Sequence, residues 1–507
     1  MLDAPASTAA MRATAALPAP AWPGLAAVAG GTSILLLAFI GRYGYHRDEL
    51  YYRVAGRHLA WGYDDQPPLV PALARLTDGL SNGSLVALRL PVVLVVSATV
   101  LLIGLLTREL GGKRSAQVLA ALGWATAPVV LISGHLLSTT PFDLLCWALI
   151  AWLVARWART RDDRLLLALG PVIGVGLLAK SLPLIFLVAL AGAIAISGPR
   201  QILRRPALWV AAAIALTLWA PNLWWQASHG WPQLEMTAVI RADADFGGRA
   251  GLLPAQLLMV GPPLAVISAI GLWRLLRAPE VRPYRFLGVA FLILLFLVLL
   301  TGGRAYYPAG AFPALVSSGA IAAVGWFGQT RDRFRFLATA LAVNGLVTVA
   351  IALPIYPVRW LPNTPQAAVN YDAVETVGWP ELANNVASVY RSLPAAEQAT
   401  AVILTGNYGQ AGAIDRYGRA LGLPAPYSGH VNFWRWGPPP DSATGPVIVI
   451  GDWSAETLAS YCESVTLATR HDNGYGLTNE EQGVPVWLCR DLRRPWSQIW
   501  PELRHLS

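Results

Sequence analysis

The chain has 507 residues, of which 55 % are hydrophobic and 13 % charged, with a net charge of +9. Soluble domains average about 45–50 % apolar and about 25 % charged residues, so a water-facing surface cannot cover this chain and lipid must be its solvent. Its arginines sit in short runs between apolar segments, which ties the basic balance to membrane topology and gives a nucleic-acid partner no footing.

The first apolar run, 22–40, follows an Ala/Pro-rich stretch without a strong basic region, and no small-residue cleavage site follows it. It reads as a retained span behind a cytoplasmic tail over 1–21. Further runs long enough to cross about 30 Å of hydrocarbon occupy 85–107, 116–133, 142–156, 165–180, 182–198, 207–225, 253–273, 286–301, 306–326 and 336–357. Together they predict a polytopic α-helical module over 22–357 with about eleven transmembrane helices. Arginine-rich loops at 108–114, 156–164, 200–205, 274–285 and 331–335 fall between alternate runs, as cytoplasmic loops do. This places the N-terminus inside and sends the loops 41–84, 134–140, 226–252 and 301–308, with everything after about 358, outside.

The linker Pro354–Pro365 leads into a stretch with the composition of a small α/β domain, 358–507. Apolar clusters predict strands at 402–404, 447–450 and 484–489, and helical periodicity predicts helices over 380–392 and 455–463. Cys462 and Cys489 lie here; they pair if the domain sits in an oxidising compartment, and two free thiols are the competing reading. Cys146 falls inside an apolar run. The inverted repeat of many transporters is missing.

The first external loop opens Tyr43-Gly44-Tyr45-His46-Arg47-Asp48-Glu49-Leu50-Tyr51-Tyr52 and continues through Gly56-Arg57-His58-Leu59-Ala60-Trp61-Gly62-Tyr63 to Gln66-Pro67-Pro68-Leu69. It is too long and too patterned for a connector, and five arginines in it, from Arg42 to Arg75, run against the usual charge bias of a translocated loop. Adjacent helical residues diverge by about 100°, so Asp48 and Glu49 do not form a dyad; Glu49 is expected to pair with an arginine such as Arg53, four residues on. An interfacial helix with aromatic anchors is the bland alternative for this segment.

These stretches resemble the first external loop of bacterial glycosyltransferases of family 39, the membrane enzymes related to protein O-mannosyltransferases and to the lipid A aminoarabinose transferase. The resemblance continues at Gly134-His135, Pro141-Phe142-Asp143, Arg304-Ala305-Tyr306-Tyr307-Pro308, Gly406-Asn407-Tyr408-Gly409-Gln410-Ala411 and Ser428-Gly429-His430. It implies a GT-C fold and transfer of a sugar, with inversion, from a polyprenyl-phosphate donor to an acceptor hydroxyl at the outer face of a bacterial plasma membrane. The acceptor would be a glycan, glycolipid or protein. Such chemistry needs a base, cations for the departing phosphate, and a greasy groove for the lipid tail.

On that resemblance Asp48 is the candidate base. Arg304, followed by Tyr306 and Tyr307, is the candidate phosphate clamp, although relatives often carry lysine before the tyrosine pair. His135 and Lys180 are further candidate phosphate contacts, against an ordinary hydrogen-bonded histidine and a snorkelling lysine. Glu49, Asp143, Tyr52 and His58 are candidates for positioning substrate. The third loop carries Trp224, Trp225, His229, Trp231 and Arg241, then Asp243, Asp245, Phe246 and the Gly247-Gly248 pair, a composition that suits sugar stacking, a gate or an interface belt. In the C-terminal domain Asn432-Phe433-Trp434-Arg435-Trp436 suggests acceptor selection. No metal or nucleotide motif is present; a divalent metal at Asp48 is left open, with no cofactor otherwise expected. A multi-pass transporter and a non-catalytic envelope-polysaccharide assembly component are the rival readings.

Overall fold

The structure is a computed structural model that describes residues 17–81, 83–242 and 248–506. The first sixteen residues of the expected tail, and Asp243, Asp245, Phe246 and Gly247 of the third loop, lie outside the described residues. The chain begins with the apolar helix α1 (Trp22–Phe39), followed by two helices of the first long loop, α2 (Arg47–Arg57) and α3 (Leu69–Ser81). Then come α4 (Leu85–Glu109), α5 (Arg114–Ala125), α6 (Pro128–Gly134), α7 (Thr140–Thr160), α8 (Arg164–Ala179), α9 (Pro183–Ser197) and α10 (Pro206–Ser228). The helical module continues with α11 (Pro232–Ala242), α12 (Gly248–Val260), α13 (Pro262–Arg277), α14 (Arg285–Thr301), α15 (Phe312–Phe327) and α16 (Arg331–Ala352).

Among the described residues seven helices are long and apolar enough to cross a membrane, and nine if each of two bent pairs counts as one. The helices α8 and α9 are apolar but short: 16 and 15 residues rise about 24 and 22 Å, less than a hydrocarbon core. Two expected runs are broken. The run 116–133 bends by 57° between α5 and α6, where Pro128 opens a new helix and disfavours helical geometry in the residue before it. The run 253–273 is no continuous span: α12 and α13 meet at 108°. The break is built from Gly261 at φ +83°, followed by a proline pair. A side chain at Gly261 would start 2.3 Å from the Asn344 amide oxygen, so the corner is packed as well as turned.

The C-terminal part carries one five-stranded sheet in the order β2-β1-β3-β5-β4, with β1 (Val402–Thr405), β2 (Pro426–Ser428), β3 (Val447–Ile450), β4 (Cys462–Arg470) and β5 (Pro485–Leu492). The neighbours β2, β1 and β3 run parallel; β5 is antiparallel to β3 and β4 to β5. Central β1 and β3 are buried at every position, as an unbroken apolar run requires of a strand covered on both faces. The expected helix 455–463 stops at Ala459, and Cys462 and Glu463 open β4 instead. That strand is a polar, mostly exposed edge with one neighbour, so its ladder rather than any apolar pattern holds it. Cys462 and Cys489 are disulfide-bonded across β4 and β5, with Cα atoms 5.8 Å apart.

The helices α17 (Trp379–Ser392) and α18 (Tyr408–Tyr417) pack on this sheet, and the short α19 (Val431–Arg435) follows β2. The outer face of α18 lies against α2. A Cβ added at Gly409 would fall 2.9 Å from the Arg47 Cβ, and one at Gly412 2.7 Å from the Leu50 Cβ. Glycines one turn apart therefore let the two backbones meet directly.

Candidate active site

The first turn of α2 decides the geometry. Asp48 and Glu49 both favour a helix N-terminus, where carboxylates offset free backbone N–H groups. His46 Nδ1 accepts from the Asp48 amide at 3.2 Å, and Glu49 Oε2 accepts from the His46 amide at 2.9 Å. Glu49 then turns inward and Asp48 outward.

The inward side is a sealed polar knot. Arg89 of α4 donates to both Glu49 oxygens at 2.8 Å, and both side chains are fully buried. The expected partner Arg53 instead binds Asp78 of α3 at 2.9 Å. Along α2 the i,i+4 pair gains little in water, whereas Arg89 sits in the core with no alternative acceptor as strong. Arg89 also donates to the carbonyls of Ile40 and Gly44 at 2.9 and 2.8 Å, and Glu49 accepts from the Leu137 amide at 2.9 Å. His135 joins through Nε2, 3.2 Å from Arg89 Nη1, which leaves its buried Nδ1 without a hydrogen-bond partner among the described residues. The structure thus places Glu49 and His135 in the joint that ties α1, α2, α4 and the loop after α6 together.

The outward side is the open one. The Asp48 side chain is 31 % exposed. Its Oδ1 accepts the Tyr408 hydroxyl at 2.7 Å, and Oδ2 lies 3.9 Å from His46 Nδ1. Lys180, at the end of α8, holds its Nζ 4.8 Å from the Tyr306 ring centroid and 3.4 Å from Thr140 Oγ1. Asp143, on the first turn of α7, accepts the Trp147 indole N–H at 2.8 Å. Asp143, Tyr307, Asp48 and Arg304 lie within electrostatic range of the Lys180 ammonium, so helices distant in sequence bring these groups near one another. Tyr306 and Tyr307 meet edge to face at 5.2 Å. Tyr52 is buried beside Asp48, and burial first, then the Asp48 carboxylate, holds its hydroxyl well above the usual range.

Of the expected site residues, then, Asp48, Tyr52, Asp143, Lys180, Arg304, Tyr306 and Tyr307 converge, while His58 does not: it is exposed and stacks on Trp436 at 4.6 Å. In the third loop Trp225 stacks on His229 at 4.1 Å, and Asn222 and Gln226 donate to the carbonyls of Trp61 and Tyr63 at 2.8 and 3.1 Å. Arg435 of the aromatic segment pairs with the fully buried Asp64. Among the described residues no three His, Cys, Asp or Glu side chains form a metal-holding group.

Two further groups escaped sequence reasoning. Asp65 accepts the Tyr51 hydroxyl at 2.8 Å; burial pushes its carboxyl up to about 7, the neighbouring Asp48 and Asp64 carboxylates add to this, and the Tyr51 bond opposes it. Arg89 had a readable signal, a single arginine within an apolar run, where an ionisable group needs a partner or a task.

Residues 65–225 match the family model described as dolichyl-phosphate-mannose-protein mannosyltransferase. The lipid A galacturonosyltransferase RgtD of Rhizobium johnstonii is 27 % identical over 241 residues, covering 45 % of this chain and 49 % of RgtD. The chain therefore spans about half the length of that curated relative. ArnT from Cupriavidus metallidurans superposes with a TM-score of 0.57 in its apo state, at 14 % identity, over 92 % of this chain and 96 % of ArnT. Its structure bound to undecaprenyl phosphate gives the same TM-score over 93 % of this chain and 98 % of ArnT.

The fold is that of the GT-C glycosyltransferases. The family segment takes in Asp65, Asp143 and Lys180 but ends before Arg304 and begins after Asp48. Tyr408 likewise lies outside that segment.

Proposed function

We propose that this GT-C protein transfers a sugar, with inversion, from a polyprenyl-phosphate donor to an acceptor hydroxyl at the outer face of the plasma membrane. The observation that carries the reading is the convergence of a part-exposed carboxylate, Asp48, with Lys180, Arg304 and the Tyr306–Tyr307 pair where the helical module meets the C-terminal domain. Undecaprenyl phosphate bound to ArnT supports the donor class, and the match to RgtD supports a glycosyl group as cargo.

In this scheme the departing phosphate gathers negative charge as the glycosidic bond breaks, and Lys180 and Arg304, both part-buried, offset that charge. A guanidinium binds phosphate through paired N–H donors, and an ammonium acts as a point charge, so the two are complementary. Asp48 takes the acceptor's proton on Oδ2 while Oδ1 remains bonded to Tyr408. The Asp143 carboxylate faces the Lys180 ammonium and favours its charge, against the burial that disfavours it. Hexosyl and pentosyl donors are equally compatible with this arrangement, as are glycolipid, envelope polysaccharide and protein acceptors.

The topology belongs to the same proposal. Eleven spans result if α8, α9 and both bent pairs all cross, with the N-terminus inside and the domain over 358–507 outside. The Cys462–Cys489 disulfide supports an oxidising compartment for that domain.

The test is release of free undecaprenyl phosphate from a panel of undecaprenyl-phosphate sugars by the purified full chain. Release from one donor is expected. No release from any donor by folded protein, with candidate acceptors supplied, would sink the reading in favour of a transporter or an assembly component.

A further inference from the structure

We propose that Tyr408, which the C-terminal domain supplies, is a positioning residue for the Asp48 carboxylate, so that docking of this domain completes the active site. The inference rests on the transferase reading above and deepens it.

Tyr408 is the first residue of α18, and its place is fixed from three sides. A capping box sets the turn: Asn407 Oδ1 accepts from the Gln410 amide at 2.8 Å, and Gln410 Oε1 accepts from the amides of Gly406 and Asn407 at 3.0 and 3.3 Å. The same two side chains donate to the buried Glu481 at 2.9 and 2.7 Å, which pins the turn to the loop before β5. The Tyr408 ring lies 5.0 Å from Tyr51 and 4.9 Å from His430, with the Arg47 guanidinium 5.8 Å from its centroid. These contacts flank the ring, and its hydroxyl meets Asp48 Oδ1 at 2.7 Å.

A tyrosine serving packing alone would satisfy its hydroxyl on a carbonyl or in water. This one bonds the outward carboxylate of a site otherwise built from the membrane module. Burial first, then the Asp48 charge, holds the Tyr408 hydroxyl well above its usual range, so it stays a donor. With Oδ1 engaged, rotation of the carboxylate is checked and Oδ2 is presented to the acceptor. The glycine contacts at Leu50 and Arg47 keep α18 close enough for this bond to form.

Tyr408→Phe tests the role, since it keeps the ring and its stacking. Undecaprenyl phosphate release should show a kcat at least tenfold lower, with the donor KM and the thermal midpoint unchanged, and Asp48→Asn/Tyr408→Phe should be no slower than Asp48→Asn alone. A second measurement needs no substrate: with 3-fluorotyrosine at position 408, the fluorine resonance should move when Asp48 is replaced by Asn. An unchanged kcat in Tyr408→Phe, or a fluorine resonance indifferent to Asp48→Asn, would overturn the inference. Absence of turnover by the wild-type chain overturns the transferase reading and the catalytic role with it, and the fluorine response then still reports the contact by itself.

Discussion

Asp48 and Glu49 are neighbours on one helical turn, and the structure gives them opposite surroundings. Glu49 is sealed from solvent and bonded to Arg89 and two backbone amides. Asp48 is part-exposed, with one oxygen bonded to a tyrosine 360 residues along the chain and the other 3.9 Å from His46 Nδ1. Both features are acidic side chains at a membrane boundary, so residue type alone does not separate a structural role from a chemical one. What separates them is whether the charge is already neutralised within the fold.

The largest effect is expected on the sealed side. Arg89→Leu leaves Glu49 buried without its cation, a loss of about 3–5 kcal/mol for a broken buried pair. The thermal midpoint in detergent should collapse, and Glu49→Gln/Arg89→Leu should recover part of it; a stable single variant would show that the knot carries no weight. On the open side Lys180→Ala should leave the midpoint near wild type and raise the donor KM about 10- to 100-fold, the worth of roughly 1.5–3 kcal/mol for a charged hydrogen bond. An unchanged KM would remove Lys180 from the phosphate contact.

A smaller effect belongs to Asp65. Its folded-state carboxyl titrates at about 7, above the ordinary 3.8, so the folded chain holds the proton more tightly between about 4 and 7. Stability from this group is present at low pH and is lost as pH rises through 7. Asp65→Asn keeps an acceptor for Tyr51 and removes the loss: its midpoint should exceed wild type by a few degrees at pH 8 and converge with it toward pH 4. Parallel curves across that range would show that Asp65 is not held protonated.

The apolar runs were legible because bilayer thickness sets a length that composition must meet, and α1, α4, α7 and α10 begin and end within a few residues of their runs. The buried strands β1 and β3 were legible for similarly local reasons. The corner at Gly261 was written in a Gly-Pro-Pro triplet, but hydropathy averaged over a window passes through it. Strand β4 left no apolar signature because an exposed edge strand needs none. Within the site, the resemblance pointed to Asp48 and Arg304, and the pairing of Glu49 with Arg89 could not be read from spacing: forty residues of loop and helix separate partners that only tertiary packing brings together. The Tyr408 contact spans 360 residues and was invisible for the same reason.

The most direct test of the division between the two faces of α2 compares turnover per folded molecule in Asp48→Asn and Glu49→Gln, with undecaprenyl phosphate release as the readout. Asp48→Asn should fold with a wild-type midpoint and lose turnover by about a thousandfold or more, while Glu49→Gln should fold poorly and its surviving fraction should turn over near the wild-type rate. Turnover retained in Asp48→Asn, or a well-folded Glu49→Gln without activity, would contradict the account.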